Sequence, residues 1–260
     1  MSENKYELPD SYQEDYTPYK CPFYDNWLVM SDIHIPYHNI PAISELIDYG
    51  IQKNIKAILL NGDLMDCYML SKFNPDPRMR RFKDELDATM EFLDSLQKYT
   101  GARIFFKLGN HEERLEKLLI VKAPELLDCT DFELNVLLRL GERHIEYIKD
   151  KRVVYIGKLP ILHGHEIGIS NAIVNPARSL FLKTFHSGVM GHLHITSQHN
   201  EQALNGKIIS TWSMGHLGDP HPKYRPLNRW NHGGMRIEVD RDGNYEVINL
   251  RLIGNKVHRT

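Results

Sequence analysis

The sequence has few cysteines, no long apolar run and no excess of charge of one sign. Three cysteines occur among 260 residues and no two form a C-x-x-C pair, which argues against a disulfide framework and against a thiolate zinc site. No apolar run approaches the roughly 20 residues that a membrane-spanning helix needs. Thirty-two basic and 34 acidic side chains give a formal net charge of -2. This balance excludes a global positive field for non-specific nucleic-acid binding, although it permits a local basic groove.

The first residues also lack the basic start and the apolar stretch of a secretory signal. Together with the scattered cysteines, this predicts a soluble cytoplasmic protein that does not enter a membrane. Residues 1–26 are polar, tyrosine-rich and weakly periodic, so we expect them to form an N-terminal extension. Residues 27–260 have the length and the apolar content of one domain.

Short apolar runs alternate with helical patterns from residue 27 onward. The runs WLVM, KAILL, RIFFKL, LPILH and GVM are typical of buried strands. The segments between them predict helices over residues 41–52 and 76–101, and helices that begin at residues 112 and 131, with Gly101 as a stop signal and Asp131 as a cap. After residue 200, Asn-Gly and Asp-Gly pairs between alternating runs predict two β-hairpins. The alternation favours βαβ units and therefore an α/β fold with C-terminal hairpins.

Side chains that can bind metals follow five of these apolar runs. Ligands of α/β proteins gather outside the carboxyl ends of strands, so the five strand ends can converge on one cleft. Carboxylate, amide and imidazole groups without thiolates suit manganese, iron or zinc. They also outnumber the ligands of a single four-coordinate ion. The seven candidate metal ligands are Asp32, His34, Asp63, Asn110, His163, His192 and His194.

The ordered motifs D-x-H, G-D-x-x-D, G-N-H-E, H-G-H and G-H-x-H, over residues 32–194, resemble those of the calcineurin-like metallophosphoesterase superfamily. The resemblance implies a four-layer α/β/β/α sandwich of two mixed β-sheets with a dinuclear metal centre at one edge. It also implies two divalent metal ions as cofactors, with Mn2+ ranked first and Fe or Zn as alternatives.

The resemblance further implies a role for each matching residue. Asp32 and His34 would bind the first metal together with His194, and Asp63 would bridge both metals. The second metal would be bound by the remaining ligands, Asn110, His163 and His192.

Two more residues match positions with catalytic roles in the superfamily. His111 lies where a proton donor or an electrostatic partner for the leaving oxygen is found, and Asp66 matches the carboxylate that orients this histidine. The alternative for Asp66 is a cap on the following turn. The implied reaction is an in-line attack on phosphorus, assisted by the two metals and by His111.

The sequence departs from one branch of the superfamily after Asp66. Cys67 and Tyr68 follow, whereas the protein Ser/Thr phosphatases have Arg-Gly there, so a phosphate-binding arginine of that branch is missing. The motifs are more similar to those of phosphodiesterases and Mre11-like nucleases, which implies hydrolysis of a phosphodiester in a nucleotide or a nucleic acid. The alternatives are a phosphomonoesterase that acts on a small molecule or a phosphoprotein, and a non-catalytic scaffold.

Two side chains are candidate substrate contacts. Arg114, one turn after His111, could direct its guanidinium toward a phosphate oxygen, and the alternative is a salt bridge with a nearby glutamate. His165 could contact the substrate or the second metal, or it could pack beside His163.

The segment 210–234 is too irregular for a helix and too long for a hairpin turn. Loops of this kind are often functional, so we expect this segment to fold over the cleft. Trp212, Tyr224 and Trp230 would then form a wall that stacks a base or fills an apolar pocket. The alternative is that these aromatic side chains anchor the loop to the core.

Overall fold

The computed structural model describes residues 5–12, 16–72, 81–127, 129–170, 173–254 and 256–260. In this part of the chain there are five α-helices and two β-sheets. The helices are α1 (Ile40–Gln52), α2 (Phe82–Thr100), α3 (Glu113–Lys122), α4 (Leu134–Leu137) and α5 (Pro176–Thr184). The strands are β1 (Tyr19–Lys20), β2 (Asn26–Met30), β3 (Ala57–Asn61), β4 (Arg103–Lys107), β5 (Glu146–Ile148), β6 (Val154–Ile156), β7 (Leu159–Leu162), β8 (Gly188–Met190), β9 (Ser197–Gln202), β10 (Ile208–Ser213), β11 (Gly233–Val239), β12 (Tyr245–Ile253) and β13 (Lys256–Arg259).

Both sheets contain parallel and antiparallel strand pairs. The six-stranded sheet has the order β1-β6-β7-β8-β10-β9, and the seven-stranded sheet has the order β13-β12-β11-β2-β3-β4-β5. Strands β2 to β5 are parallel to one another, while the hairpin β11–β12 joins β2 in antiparallel register. The two predicted hairpins are present as β9–β10 and β11–β12.

The central strands are buried on both faces, which explains their uninterrupted apolar sequences. Successive side chains of a strand point to opposite sides. Trp27 and Val29 of β2 therefore pack with Val189 of the other sheet, in the core between the sheets. Leu28 and Met30 point the other way, into the core beneath the helices.

Helices cover the outer face of each sheet. Leu46 of α1 and Leu93 of α2 are fully buried in the core beside the seven-stranded sheet, and Leu180 of α5 packs with Met190 of the six-stranded sheet. The order of layers is therefore α/β/β/α, and the fold predicted from the resemblance is confirmed. Within the described ranges, none of the helices has the length and apolar character to cross a bilayer.

One predicted helix boundary is confirmed, one lies outside the described residues and one is wrong. Gly101 ends α2 with a φ of 62°, as its position after the last apolar residue predicted. The beginning of the predicted second helix falls on residues 73–80, outside the described residues, and α2 begins at Phe82. The predicted helix from Asp131 is wrong, because only the four-residue α4 forms there and its cap is Glu133. Arg139, at a φ of 50°, interrupts the helical path.

Candidate metal centre

The motif loops after β2, β3, β4, β7 and β8 meet at one edge of the sandwich and bring all seven candidate ligands together. His34 follows β2 of one sheet and His194 follows β8 of the other, yet their Nε2 atoms lie 3.3 Å apart. Asn110 follows β4 and His163 follows β7, and the Asn110 Oδ1 atom lies 3.3 Å from Nε2 of His163. The cluster is therefore built from both sheets.

One half of the cluster contains Asp32, His34 and His194, all of which are buried. Asp32 Oδ1 lies 3.1 Å from Nε2 of His194, and Asp32 Oδ2 accepts hydrogen bonds from the backbone N–H of His192 and from the Ser31 hydroxyl. One atom from each of the three residues lies within 4.8 Å of the others. They form one compact set of nitrogen and oxygen donors.

The other half of the cluster is centred on Asp63. The Asp63 Oδ2 atom lies 3.3 Å from Nε2 of His163, and its Oδ1 atom accepts the backbone N–H of His111 at 3.0 Å. Two sets of donor atoms around Asp63 lie within 4.8 Å of one another, those of Asp32, Asp63, His163 and His192 and those of His34, Asp63 and His111. Both carboxylates thus belong to more than one group of potential ligands.

The backbone of the ligand loops adopts unusual conformations. Five candidate ligands have φ values between 50° and 66°, a region that L-residues other than Asn and Asp visit seldom. Such strain is typical of functional sites and persists only where the surrounding structure enforces it. The five residues are Asp32, His34, Asp63, His192 and His194.

Two motif glycines allow these loops to approach one another closely. A Cβ atom at Gly109 would collide with the carboxylate and the backbone of Asp63. A Cβ atom at Gly191 would collide with the Ser31 hydroxyl and the Asp32 carboxylate. The glycines of G-N-H-E and G-H-x-H are therefore required by packing against the two carboxylates.

Hydrogen bonds orient two of the histidines. Nδ1 of His34 lies 3.1 Å from Oδ1 of Asp66, and Nδ1 of His163 lies 2.8 Å from the carbonyl oxygen of Asn61. Since these oxygens accept, each ring donates from Nδ1 and turns Nε2 toward the carboxylates of the cluster. A second-sphere acceptor of this kind sets the tautomer of metal-binding histidines.

Glu112 supports the cluster in a role that the sequence did not reveal. It is buried, and its carboxylate accepts the backbone N–H groups of Asp63, Met65 and Gly109 at distances of 2.8–3.0 Å. It therefore ties the loop after β3 to the loop after β4. The sequence signal for Glu112 was its position in the G-N-H-E motif, but functional roles were assigned only to Asn110 and His111 of that motif.

A buried ion pair supports the H-G-H loop. Nζ of Lys107, the last residue of β4, lies 2.7 Å from Oε1 of Glu166. The same carboxylate accepts the backbone N–H groups of His163 and Gly164. In the sequence Lys107 is visible only as the polar last residue of a predicted strand, so no sequence pattern predicted its ion pair with Glu166.

Aromatic rings enclose His194. The ring of His216 stacks on it in parallel at 4.7 Å, and Trp230 meets it edge-on at 4.4 Å. His216 is buried, and burial, with a smaller contribution from the neighbouring His194, holds its pKa well below the usual range. The G-H-L sequence at 215–217 repeats that at 191–193, which was the one signal for His216.

Charges inside the cluster shift the histidine pKa values in opposite directions. Burial alone would lower the pKa of His34, but the hydrogen bond with Asp66 and the nearby carboxylate charges raise it to about 9. Burial would also lower the pKa of His163, but the charge of Asp63 and its neighbours raises it to about 10. Burial lowers the pKa of His192 to about 4, with a contribution from His163. The buried carboxylates thus require positive charge beside them.

The donor set fits divalent metal ions. Buried carboxylates stand next to imidazole Nε2 atoms whose rings are already oriented through Nδ1. Nδ1 of His192 is buried without a hydrogen-bond partner in the described part of the chain, so it is free to act as a ligand. Oxygen and nitrogen donors without sulfur match manganese, iron or zinc in an open site.

His111, Asp66 and Arg114 form a connected group beside the cluster. Nδ1 of His111 lies 2.8 Å from the carbonyl oxygen of Asp66 and 3.3 Å from its Oδ1 atom. Arg114 donates to the same carbonyl and places Nη2 3.0 Å from Nε2 of His111. Because a guanidinium cannot accept, Nε2 of His111 accepts this bond and the ring proton lies on Nδ1. Asp66 contacts both His34 and His111.

The structure places His165 beside His163, with ring centroids 5.3 Å apart. Its Nε2 atom lies 2.8 Å from Oε1 of Glu113, and this contact helps to hold the pKa of Glu113 at about 2 against the effect of burial. His165 is not among the residues that line the cavity above the cluster.

A cavity of about 650 Å3 opens over the cluster. Its floor includes Asp63 and His194, and Tyr224 and Trp230 from the segment 210–234 form part of its wall, as expected. For Trp212 the alternative of a core anchor is confirmed, because this residue belongs to β10 and packs in the core between the sheets. The period-two alternation of β10 turns its side chain inward.

The sequence matches the model of one protein family, described as Calcineurin-like phosphoesterase, over residues 26–211. This range contains all seven candidate ligands together with Asp66 and His111. Among curated proteins, the chain is similar to phosphomannomutase of Escherichia coli (strain K12), with 27% identity over 154 residues. The alignment covers 53% of this chain and 33% of that protein. The chain therefore spans about a third of the length of the curated relatives it matches.

Two solved structures are similar over most of the chain. Vps29 of Entamoeba histolytica in complex with zinc has 15% identity and a TM-score of 0.45, covering 90% of this chain and 97% of that chain. A dimetal phosphatase of Danio rerio has 9% identity and a TM-score of 0.45, covering 90% and 98%. At these identities and scores, neither similarity bears on the activity of the protein.

Proposed function

The chain belongs to the calcineurin-like phosphoesterase family, and we propose that it hydrolyses phosphoesters with two divalent metal ions, preferring phosphodiesters of nucleotides or nucleic acids. The observation that carries this proposal is the complete ligand set. The seven motif residues come from loops of both sheets and lie within one cluster, where Asp63 stands next to histidines and to the backbone of His111. The proposed compartment is the cytoplasm, because three scattered cysteines suit a reducing environment.

In this proposal Asp32, His34 and His194 would hold the first metal, and Asp63 would be shared. Asn110, His163 and His192 would hold the second metal, and Asp32 also lies within reach of His163 and His192. We propose Mn2+ for both positions, with Fe or Zn as alternatives, because the donors are oxygen and imidazole nitrogen. When bound, the metals supply Lewis acidity and offset the charge that develops on the phosphoryl group.

The residues around His111 stabilise the leaving oxygen. The ring of His111 is oriented through Nδ1 by Asp66, and its Nε2 atom faces the Arg114 guanidinium. Transfer of a proton to the leaving oxygen requires a proton on Nε2, which accepts from Arg114 in this structure, so the contact between His111 and Arg114 has to open before His111 can donate. Arg114 supplies a permanent positive charge at the same place. We therefore propose His111 as the catalytic residue and Arg114 as a contact for the phosphoryl oxygens.

The diester preference rests on two features. The position after Asp66 lacks the arginine of the protein phosphatase branch, so the third free oxygen of a monoester has one cation fewer to bind. The cavity of about 650 Å3 also leaves room for a substituent on each side of the phosphorus atom. A phosphomonoesterase is the second candidate, because Arg114 lines the cavity beside the cluster. For His165 we propose an indirect role, in which it orients Glu113 and packs against His163.

A scaffold without activity is the third candidate. Loss of catalysis would be expected to leave gaps among the ligands or at His111. No gap exists here, and the supporting Glu112 and the strained ligand loops are also present. Strained backbone is costly to maintain without a function, which favours a catalytic site.

The experiment compares bis(4-nitrophenyl) phosphate with 4-nitrophenyl phosphate, which share a leaving group. Metal-stripped protein is reloaded separately with manganese, iron or zinc, and metal content is measured beside kcat/KM. We expect metal-dependent hydrolysis with at least a roughly tenfold higher kcat/KM for the diester, equivalent to about 1.4 kcal/mol. A higher value for the monoester would favour the second candidate. Full metal content without hydrolysis of either ester would favour the scaffold.

A further inference from the structure

One wall of the cavity is a cationic and aromatic loop. This segment, residues 219–232, is called the cavity loop below. It contains three basic residues and one acidic residue in a chain whose formal net charge is -2. Tyr224, Arg225, Arg229 and Trp230 of the loop line the cavity together with Tyr68 on the opposite side. The loop thus places an excess of positive charge beside the ligand cluster.

Internal hydrogen bonds hold the cavity loop in shape. Asn228 donates from its side chain to the carbonyl oxygens of Pro220 and Arg225, and its Oδ1 atom accepts the backbone N–H of Trp230. His221 Nδ1 contacts the carbonyl oxygen of Pro226 at 3.1 Å. A loop with this much internal bonding presents its side chains in a defined arrangement, which lowers the entropic cost of binding.

The aromatic rings form a continuous row that starts at the cluster. Trp230 meets His194 at 4.4 Å between ring centroids, and Tyr224 lies 6.3 Å farther along. Tyr224 is 73% exposed, so its ring is presented to a ligand and is not used as a core anchor. The rings of Tyr224 and Trp230 are tilted by 59° to each other, so each presents a face of its own, and proteins stack the bases of single strands on such aromatic faces.

The arginines of the cavity differ in their availability. Arg114 is engaged with His111, and Arg229 donates to the carbonyl oxygen of Ile173. The guanidinium of Arg225 lies over the ring of Trp230 at 5.6 Å, and in the described part of the chain no carboxylate pairs with it. A guanidinium stacked on an aromatic face keeps its edge free for a phosphate.

We propose that the cavity loop recognises a single-stranded oligonucleotide, with Trp230 and Tyr224 each stacking on a different base beside the scissile phosphodiester and Arg225 binding the adjacent phosphate. The proposal rests on the phosphoesterase function proposed above and narrows its substrate to a strand that has a base and a second phosphate. An acidic peptide would use the cations but would leave the row of aromatic rings without a planar partner.

The first experiment measures binding without catalysis. The full chain, stripped of metal with EDTA, is titrated into a fluorescein-labelled oligothymidylate, into an abasic strand of the same length, and into an acidic peptide of the same charge. We expect the intact strand to bind more tightly than the abasic strand or the peptide. Stacking on one aromatic ring contributes about 1–3 kcal/mol per base, or roughly 5- to 150-fold in affinity. Equal affinity for all three probes would overturn the proposal.

Variants of Trp230 and Arg225 test base stacking and phosphate binding separately. Trp230→Ala is expected to lower the affinity for the intact strand by roughly 5-fold or more and to leave that for the abasic strand nearly unchanged, whereas Trp230→Phe retains most of the preference for the intact strand. Arg225→Gln is expected to reduce the dependence of log Kd on log salt by about 0.7, the value for one phosphate of a single strand. Arg241→Gln, in the β11–β12 turn away from the cavity, serves as the charge-matched control. Thermal unfolding of each variant shows whether it is folded.

The two proposals fail in different ways. Hydrolysis of bis(4-nitrophenyl) phosphate without any preference for the intact strand would overturn the recognition by the cavity loop and leave the hydrolase standing. Base-dependent binding that is sensitive to Trp230, with no hydrolysis of any ester, would support the recognition and overturn the hydrolase. An unchanged salt dependence in a folded Arg225→Gln protein would remove this arginine from the proposed contact.

Discussion

The ligand cluster and the cavity loop lie next to each other but are built in opposite ways. In the cluster Asp32 is fully buried, and its carboxylate is bound by a histidine ring, a hydroxyl group and a backbone N–H. In the cavity loop Tyr224 and Leu227 are 73% and 92% exposed. The loop is held by the side chain of Asn228 and by backbone hydrogen bonds to Tyr37 and His194 near its two ends.

We infer from this difference that the cluster performs the chemistry and that the cavity loop selects the substrate. Buried charges must be paired and hydrogen-bonded, so the cluster needs particular residue types at particular spacings, and these are visible as motifs. An exposed loop carries no such requirement and can vary in composition around a constant centre. We therefore expect substitutions in the cluster to affect every substrate, and substitutions in the cavity loop to change the preference among substrates.

The largest effect is expected for Asp63→Asn. Loss of the shared charge should remove at least one metal and reduce kcat for all esters by about as much as complete metal removal. Metal content and hydrolysis of the artificial diester measure this, and Asp242→Asn in the β11–β12 turn is the control. Wild-type turnover with a full metal content would show that hydrolysis does not need the Asp63 carboxylate. The cluster would then no longer differ from the cavity loop in its effect on every substrate.

The next effect is expected for His111→Ala. The variant should keep its metals, because the ring nitrogen atoms contact Asp66 and Arg114, and its kcat should fall by roughly two to four orders of magnitude. Exposed His186 provides the control variant His186→Ala. Leaving groups of different pKa distinguish the two roles of His111, since equal slowing of good and poor leaving groups would exclude proton donation and leave an electrostatic role.

Glu112→Gln tests whether the cluster depends on the backbone hydrogen bonds that the Glu112 carboxylate accepts. The amide nitrogen of glutamine cannot accept the backbone N–H groups that both carboxylate oxygens accept now, and an unsatisfied buried group costs about 1–3 kcal/mol of folding free energy. Metal affinity should fall by roughly 10- to 100-fold, as is typical of changes in second-sphere partners. Titration with manganese and urea unfolding measure both quantities. Glu116→Gln, exposed on the same helix, should match the wild type, and an equal loss there would contradict the positioning role.

The smallest effect concerns a buried carboxylate outside the cluster. In the cluster, the charges of His194 and His163 outweigh burial and hold the pKa of Asp32 below its usual range. Glu85 accepts the backbone N–H of Tyr68, and the charge of Arg114 lowers its pKa by less than burial raises it. Burial, with the nearby charge of Asp66, raises its pKa from 4.5 to about 7.

A raised carboxyl pKa means that protonation favours the folded state. The contribution of protonated Glu85 is fully present below about pH 4.5 and is lost as the pH rises through about 7. Glu85→Gln stays neutral, so its free energy of unfolding relative to the wild type should increase by about 1–3 kcal/mol between pH 5 and pH 8. Urea unfolding of both proteins measures this difference, and a difference independent of pH would show that Glu85 does not titrate in this range.

The outcomes for particular residues show what the sequence could reveal. Gly101 was predictable as a helix stop because its signal is local. Asp131 carried a similar local signal, but Leu138 and Leu140 are both buried in the core beneath the helices, and that packing prevailed over the propensity for a longer helix. Trp212 was assigned to the cavity because its segment is rich in glycine and proline, although its own position continues the alternation of β10.

The sequence by itself determined an α/β fold with C-terminal hairpins and the chemical identity of the candidate ligands, because strand periodicity and the short motifs after each strand are local properties of the chain. The order of the four layers was implied only by the resemblance to the superfamily. The tertiary structure alone decided that Glu112, Lys107 and His216 support those ligands, since these contacts join residues that are far apart along the chain. It also decided which aromatic rings face the cavity, because the direction of a side chain depends on the register of its strand and on the path of its loop.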